Sequence, residues 1–219
     1  MKLKHKILSL AAITALVITN AAFAGNSAKI GYASDYFYRG VQKAEESLQA
    51  SLGLKGSLGG LSTSLHVCSN QAVDSGNDSY HMGAGVAKAF ADDLISAYVG
   101  VNHFEDVPGN ALSEVELRAS YNGALSPSVS VYRNLDESLY TVEVGASHGI
   151  ETELVDITLG AVFGNTELSQ SLDVDYYTLG LDVSKDISDN ATVVVSTDFV
   201  DADNIDDELV VGASVVINF

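Results

Sequence analysis

The chain has 219 residues, 11 basic against 29 acidic, and a formal net charge of −18. Nucleic-acid binding by charge attraction is excluded, because phosphates demand clustered Lys and Arg. A lone cysteine, Cys68, rules out an intramolecular disulfide, and no zinc-ligand spacing is present.

In chain order, residues 1–24 read as a secretory signal peptide. Lys2, Lys4 and Lys6 precede an apolar stretch from Ile7 to Ile18, and Ala22-Phe23-Ala24 supplies a small-x-small cleavage site. Loss of this leader removes three basic residues and no acidic one, so the mature domain, 25–219, is more acidic still. Beyond it no run of about eighteen apolar residues occurs, which excludes a spanning helix.

Instead, short segments alternate apolar and polar residues between clusters of Gly, Asp, Asn and Ser. Leu48, Ala50, Leu52 and Leu54 alternate with Gln49, Ser51 and Gly53. Val115, Leu117, Ala119 and Tyr121 alternate with Glu114, Glu116, Arg118 and Ser120. The final segment places Leu209, Val211, Ala213, Val215, Ile217 and Phe219 on one face. Strands are predicted at 28–38, 46–56, 61–70, 79–90, 94–104, 113–122, 127–134, 139–148, 155–164, 174–185, 191–200 and 208–219. Most match the ~9–11 residues that cross a bilayer as a tilted strand. The expected fold is all-β: a transmembrane, antiparallel, up-and-down β-barrel of about twelve strands, ten and fourteen being the neighbouring even counts.

Connections alternate as well. Those at 57–60, 91–93, 123–126, 149–154 and 186–190 are tight. Most of the others, at 71–78, 105–112, 165–173 and 201–207, are longer and more polar, the pattern of periplasmic turns facing outer loops. On the apolar parity, Tyr80, Tyr140, Phe163, Tyr177 and Phe199 fall at one end of their strands, and Phe90, Tyr121 and Phe219 at the other. Two aromatic bands suit two membrane interfaces. The expected location is the cell outer membrane, with its lipid as partner. Phe219, ending an alternating strand, resembles the signal that barrel proteins present to the barrel-assembly machinery.

The stretch Ser34-Asp35-Tyr36-Phe37-Tyr38-Arg39-Gly40-Val41 resembles the S-x-Y-x-x-R-G-hydrophobic opening of the TorF-family outer-membrane porins. That resemblance implies a barrel that passes small solutes. By alternation Asp35, Phe37 and Arg39 are expected to face inward, and Tyr36 and Tyr38 outward. Arg39 then has either Asp35 or a carboxylate of another wall to pair with, and an internal strut suits it as well as a selectivity role.

Glu114, Glu116, Glu143, Asp156, Asp182 and Asp198 share the inward parity, against Lys55, Arg118 and Arg39 as pairing cations. A carboxylate excess favours cations, and inward glycines such as Gly83, Gly85, Gly100 and Gly160 leave room. The expected function is passive diffusion of small neutral or cationic solutes, with no cofactor and no metal. The acidic stretch Asp201, Asp203, Asp206, Asp207 and Glu208 lacks EF-hand spacing and is expected to be solvated. A non-conducting structural barrel is the alternative. A lipid-acting enzyme is less favoured, because His66, His81, His103 and His148 stand in no recognisable spacing to a nucleophilic serine.

Overall fold

A strand that meets apolar surroundings on one side and water on the other must close with its neighbours, because an open edge leaves backbone groups unpaired. In the computed structural model, which describes residues 25–107, 109, 111–203 and 205–219, this closure is complete. The expected signal peptide lies outside the described residues.

The strands are β1 (Ser27–Tyr38), β2 (Val41–Leu58), β3 (Leu61–Gly76), β4 (Asp78–Phe90), β5 (Ile95–Val107) and β6 (Ala111–Tyr121). They continue as β7 (Ser128–Asn134), β8 (Tyr140–Glu151), β9 (Asp156–Ser169), β10 (Leu172–Ser188), β11 (Ala191–Ala202) and β12 (Glu208–Asn218). Each pairs antiparallel with its sequence neighbours. β1 closes on β12, from Ser27 opposite Asn218 to Ala33 opposite Gly212. The last residue is tied in too: the Phe219 amide donates to the Asn26 carbonyl at 3.1 Å. The twelve-stranded antiparallel barrel expected from alternation is the observed fold.

Its packing is inverted relative to a water-soluble protein. On β12, Leu209, Val211, Val215 and Ile217 are exposed, whereas Val210, Gly212 and Ser214 are buried. The same holds for Leu117 and Val99 outside against Glu116 and Asn102 inside. Among the described residues, the apolar buried clusters are small: Ala33 with Val200 and Val210, and Val174 with Tyr176 and Ala202. A wall that is apolar outward and polar inward is stable against hydrocarbon, not against bulk water.

One end of the barrel, the terminal rim, carries both termini and the tight turns. The other, the distal rim, differs from expectation. Of the predicted loop 71–78, only Asn77 falls outside a strand, and of 165–173 only 170–171 do. β2 likewise starts at Val41, with a bulge at Glu46, whose φ is +52°. Alternation stops in these segments, where a strand leaves the apolar zone, although the backbone ladder continues. β2, with 18 residues, and β10, with 17, outrun what a bilayer requires.

Gly76 makes one of these extensions possible. Its φ is +107°, and an added Cβ would overlap the Lys43 carbonyl and lie 2.6 Å from the Ala44 Cα. Gly76→Ala is expected to cost about 1–3 kcal/mol through backbone strain. Urea unfolding of the lipid-inserted protein should show the loss, with wild-type stability as the contrary result.

Candidate pore constriction

Three consecutive aromatics, Tyr36, Phe37 and Tyr38, cannot all obey a lipid-facing alternation. The structure resolves this by turning the strand off the wall. β1 pairs with β12 only as far as Ala33, then shifts register against β2 between Tyr36 and Phe37. The ribbon ends in a tight turn at Arg39 and Gly40, with φ of +51° and +75°, the left-handed pair required by a two-residue hairpin.

This tip lies inside the barrel. Tyr38 stacks on Phe104 of β5, ring centroids 4.5 Å apart, and its hydroxyl lies 3.5 Å from Glu114 Oε1 on β6. Tyr36 sits against the buried Ser79 of β4. The expectation that Tyr36 and Tyr38 face outward is therefore corrected. Phe37 stays on the face of Ala33 and the two tyrosines on the other, but the ribbon has left the wall and both of its faces lie inside.

Arg39 forms a two-pronged pair with Glu114. Its Nη1 donates to Oε2 at 2.5 Å and its Nη2 to Oε1. The guanidinium carbon also lies 3.6 Å from the Tyr132 ring centroid on β7. Both ionic side chains are nearly buried, Arg39 10% exposed and Glu114 3%. Asp35 is not its partner; that carboxylate accepts from Gln42 Nε2 at 3.0 Å on the exposed side of the ribbon.

Two further carboxylates complete a belt across the lumen. Glu143 of β8 accepts from the Tyr132 hydroxyl at 3.0 Å and the Tyr176 hydroxyl at 2.5 Å. Glu116 accepts from Asn102 Nδ2 at 3.0 Å and from Arg118 Nε at 2.9 Å. Lys43, at the base of the ribbon, pairs with Asp106 at 3.1 Å. Distal to this belt opens a cavity of about 500 Å³, bordered by Lys43, Asp106, Asp136, Glu137 and Glu167.

The remaining site candidates stand apart from the belt. Asp182 of β10 and Asp198 of β11 lie on neighbouring strands, with Lys29 of β1 in electrostatic reach of Asp198. Asp156 is exposed where β9 begins, at the terminal rim. His66 and His81 face each other inside, Nε2 to Nε2 at 3.5 Å, whereas His148 Nδ1 meets the Ala124 carbonyl at the terminal rim. Among the described residues, no three His, Cys, Asp or Glu side chains converge on a metal position.

Not every inward glycine leaves room. Gly85 and Gly100 lie under the Tyr98 ring and Gly83 under Asn102 and His66, so a Cβ would collide there; at Gly160 it would meet nothing. Tyr38, Phe104, Tyr132 and Tyr176 went unpredicted as constriction residues. The one signal for Tyr38 was the unbroken aromatic run before Arg39.

No protein-family model matches the sequence, and no curated protein matches it. Solved structures do. The KdgM porin in complex with disordered oligogalacturonate aligns with a TM-score of 0.60 at 14% identity, over 88% of this chain and 99% of that one. The NanC porin aligns with 0.58 at 8% identity, over 89% and 100%. The COG4313 outer membrane channel from Pseudomonas putida F1 aligns with 0.58 at 10% identity, over 93% and 100%. At these identities the likeness is one of fold: the chain shares its closed antiparallel barrel with outer-membrane channels.

Proposed function

We propose that this chain forms a narrow channel in an outer membrane and passes small neutral or cationic solutes by diffusion, without catalysis. The observation that carries this reading is the inversion of the wall, apolar outside and lined inside by carboxylates. The opening motif that resembles TorF-family porins supports it, as do channel proteins of the same fold. Phe219 would serve as the assembly signal at the membrane.

Charge decides the solute class. Arg39, Lys43 and Arg118 are already spent on Glu114, Asp106 and Glu116. Among the described residues, Glu143, Asp156, Asp182 and Asp198 enter no ion pair, and Lys29 and Lys55 are the inward cations left to offset them. A polyanion such as oligogalacturonate, bound by the KdgM porin, would be repelled from such an interior.

The test is current through the purified protein in a planar bilayer under a salt gradient. Discrete steps with a cation-favouring reversal potential are expected. A unit charge about 10 Å away in water contributes ~0.4 kcal/mol, so Asp182→Asn with Asp198→Asn should lower the cation-to-anion ratio roughly two-fold or more. An anion-favouring wild type would sink the solute assignment. Silence from a folded barrel would favour a non-conducting structural role, a reading to which the lumen-crossing belt gives specific support.

A further inference from the structure

We infer that the tip of the β1–β2 hairpin, residues 36–43, is the element that sets the aperture of the channel, and that the Arg39–Glu114 pair holds it across the lumen. This rests on the channel reading above. Above Ala33 the ribbon has lost β12, and strand pairing to β3 ends at Ala44. Between these points one backbone bond, from the Asn77 amide to the Lys43 carbonyl at 3.2 Å, ties its base to the β3–β4 turn, and its attachment to the far walls is through side chains. On one side Phe37 packs against Val200 and Val210, and Gly40 lies under Tyr176, where an added Cβ would come within 2.8 Å of the tyrosine Cβ. On the other, Tyr38 meets Phe104, and Arg39 meets Glu114 and Tyr132. The tip thus bridges the barrel from β10–β12 to β5–β7.

Two physical points give this arrangement a role in conduction. An isolated two-stranded ribbon is marginally stable by itself, so its position follows from what it touches. Among the described residues the tip makes two ion pairs, Lys43 with Asp106 and Arg39 with Glu114. The second is the more deeply buried, its side chains 10% and 3% exposed against 21% and 8%, and removing either of its partners leaves the other stranded. The tip should then relax toward the distal cavity, where water is available, and the lumen should widen.

The experiment compares single-channel currents of the full barrel with those of three variants: Arg39→Ala, Glu114→Gln, and a hairpin shortened by replacing residues 37–42 with an Asn-Gly turn. Resistance to unfolding in cold SDS verifies the barrel in each. The shortened hairpin should raise unit conductance about two-fold or more, because bore governs flow through a narrow pore. The two point variants should show intermediate or flickering steps. A silent wild type beside a conducting shortened variant would support closure by the tip outright. Equal conductance in wild type and shortened variant would overturn the inference while leaving the channel reading standing. Silence in every variant would overturn both.

Discussion

Glu114→Ala is expected to cost about 3–5 kcal/mol of stability, as does the removal of one partner from a buried ion pair. In the wild type the Arg39 guanidinium has a carboxylate fork on one side and the Tyr132 ring on its face. Without Glu114 the ring remains, but a ring face offers a buried cation only about 2 kcal/mol, too little to replace its counter-ion. If the tip swings into the distal cavity the guanidinium regains water, and the loss falls toward the lower end of the range. The chain has no Trp, so unfolding in urea is best followed by tyrosine fluorescence and gel mobility of the lipid-inserted protein. Adding Arg39→Met should restore most of the loss, because the stranded charge is then gone. A loss below about 1 kcal/mol would instead mark the pair as solvated, of the kind found on protein surfaces.

The wall of this protein was legible in its sequence for a physical reason. Leu209 to Phe219 and Val115 to Tyr121 each face two different environments, and a period of two is what such a boundary writes into a strand. The same reason explains the failures. At the far ends of β3 and β9 both faces are exposed, at residues 73–76 and 167–169, so the pattern is lost there while the ladder continues. Tyr36 and Tyr38 keep the parity opposite to Ala33 and Phe37, but β1 leaves β12 after Ala33, so both faces of the ribbon lie inside the barrel, and a single sequence carries no mark of where a strand leaves the wall. Glu114, Glu116, Glu143 and Arg39 could be picked out as charges on one face. Arg118, two residues from Glu116 on the same face, was among the expected pairing cations, but which carboxylate Arg39 meets could not be read, because Glu114 is 75 residues away and their meeting depends on a ribbon leaving the wall. The tyrosines of the belt were hidden for a related reason: inside a barrel an aromatic hydroxyl is a hydrogen-bond donor, whereas outside it is an interface anchor, and the letter is the same.

Leu181→Arg should destabilise the inserted barrel by about 2–4 kcal/mol, the cost of a cation on the lipid face near the bilayer midplane. Leu181 is exposed on the outward face of β10, opposite Leu159 of β9, midway between Tyr177 and Lys185. Tyr177 belongs to the distal aromatic band, with the Phe199 ring 6.0 Å away, so the position lies deep in the apolar belt. The informative partner is Ser196→Arg on β11. Ser196 is paired with Asp182 and shares its inward face, so a new guanidinium there would stand beside a carboxylate with no ion-pair partner among the described residues. That variant should unfold close to the wild type and lower the cation preference of the current. The two substitutions introduce the same side chain into adjacent walls, which separates the environment from the residue. If Leu181→Arg were tolerated as well as Ser196→Arg, the outer face would not be in hydrocarbon, and the membrane reading would fall with it. If the two diverge as expected, the inverted wall is at once the source of stability and the boundary of the pore.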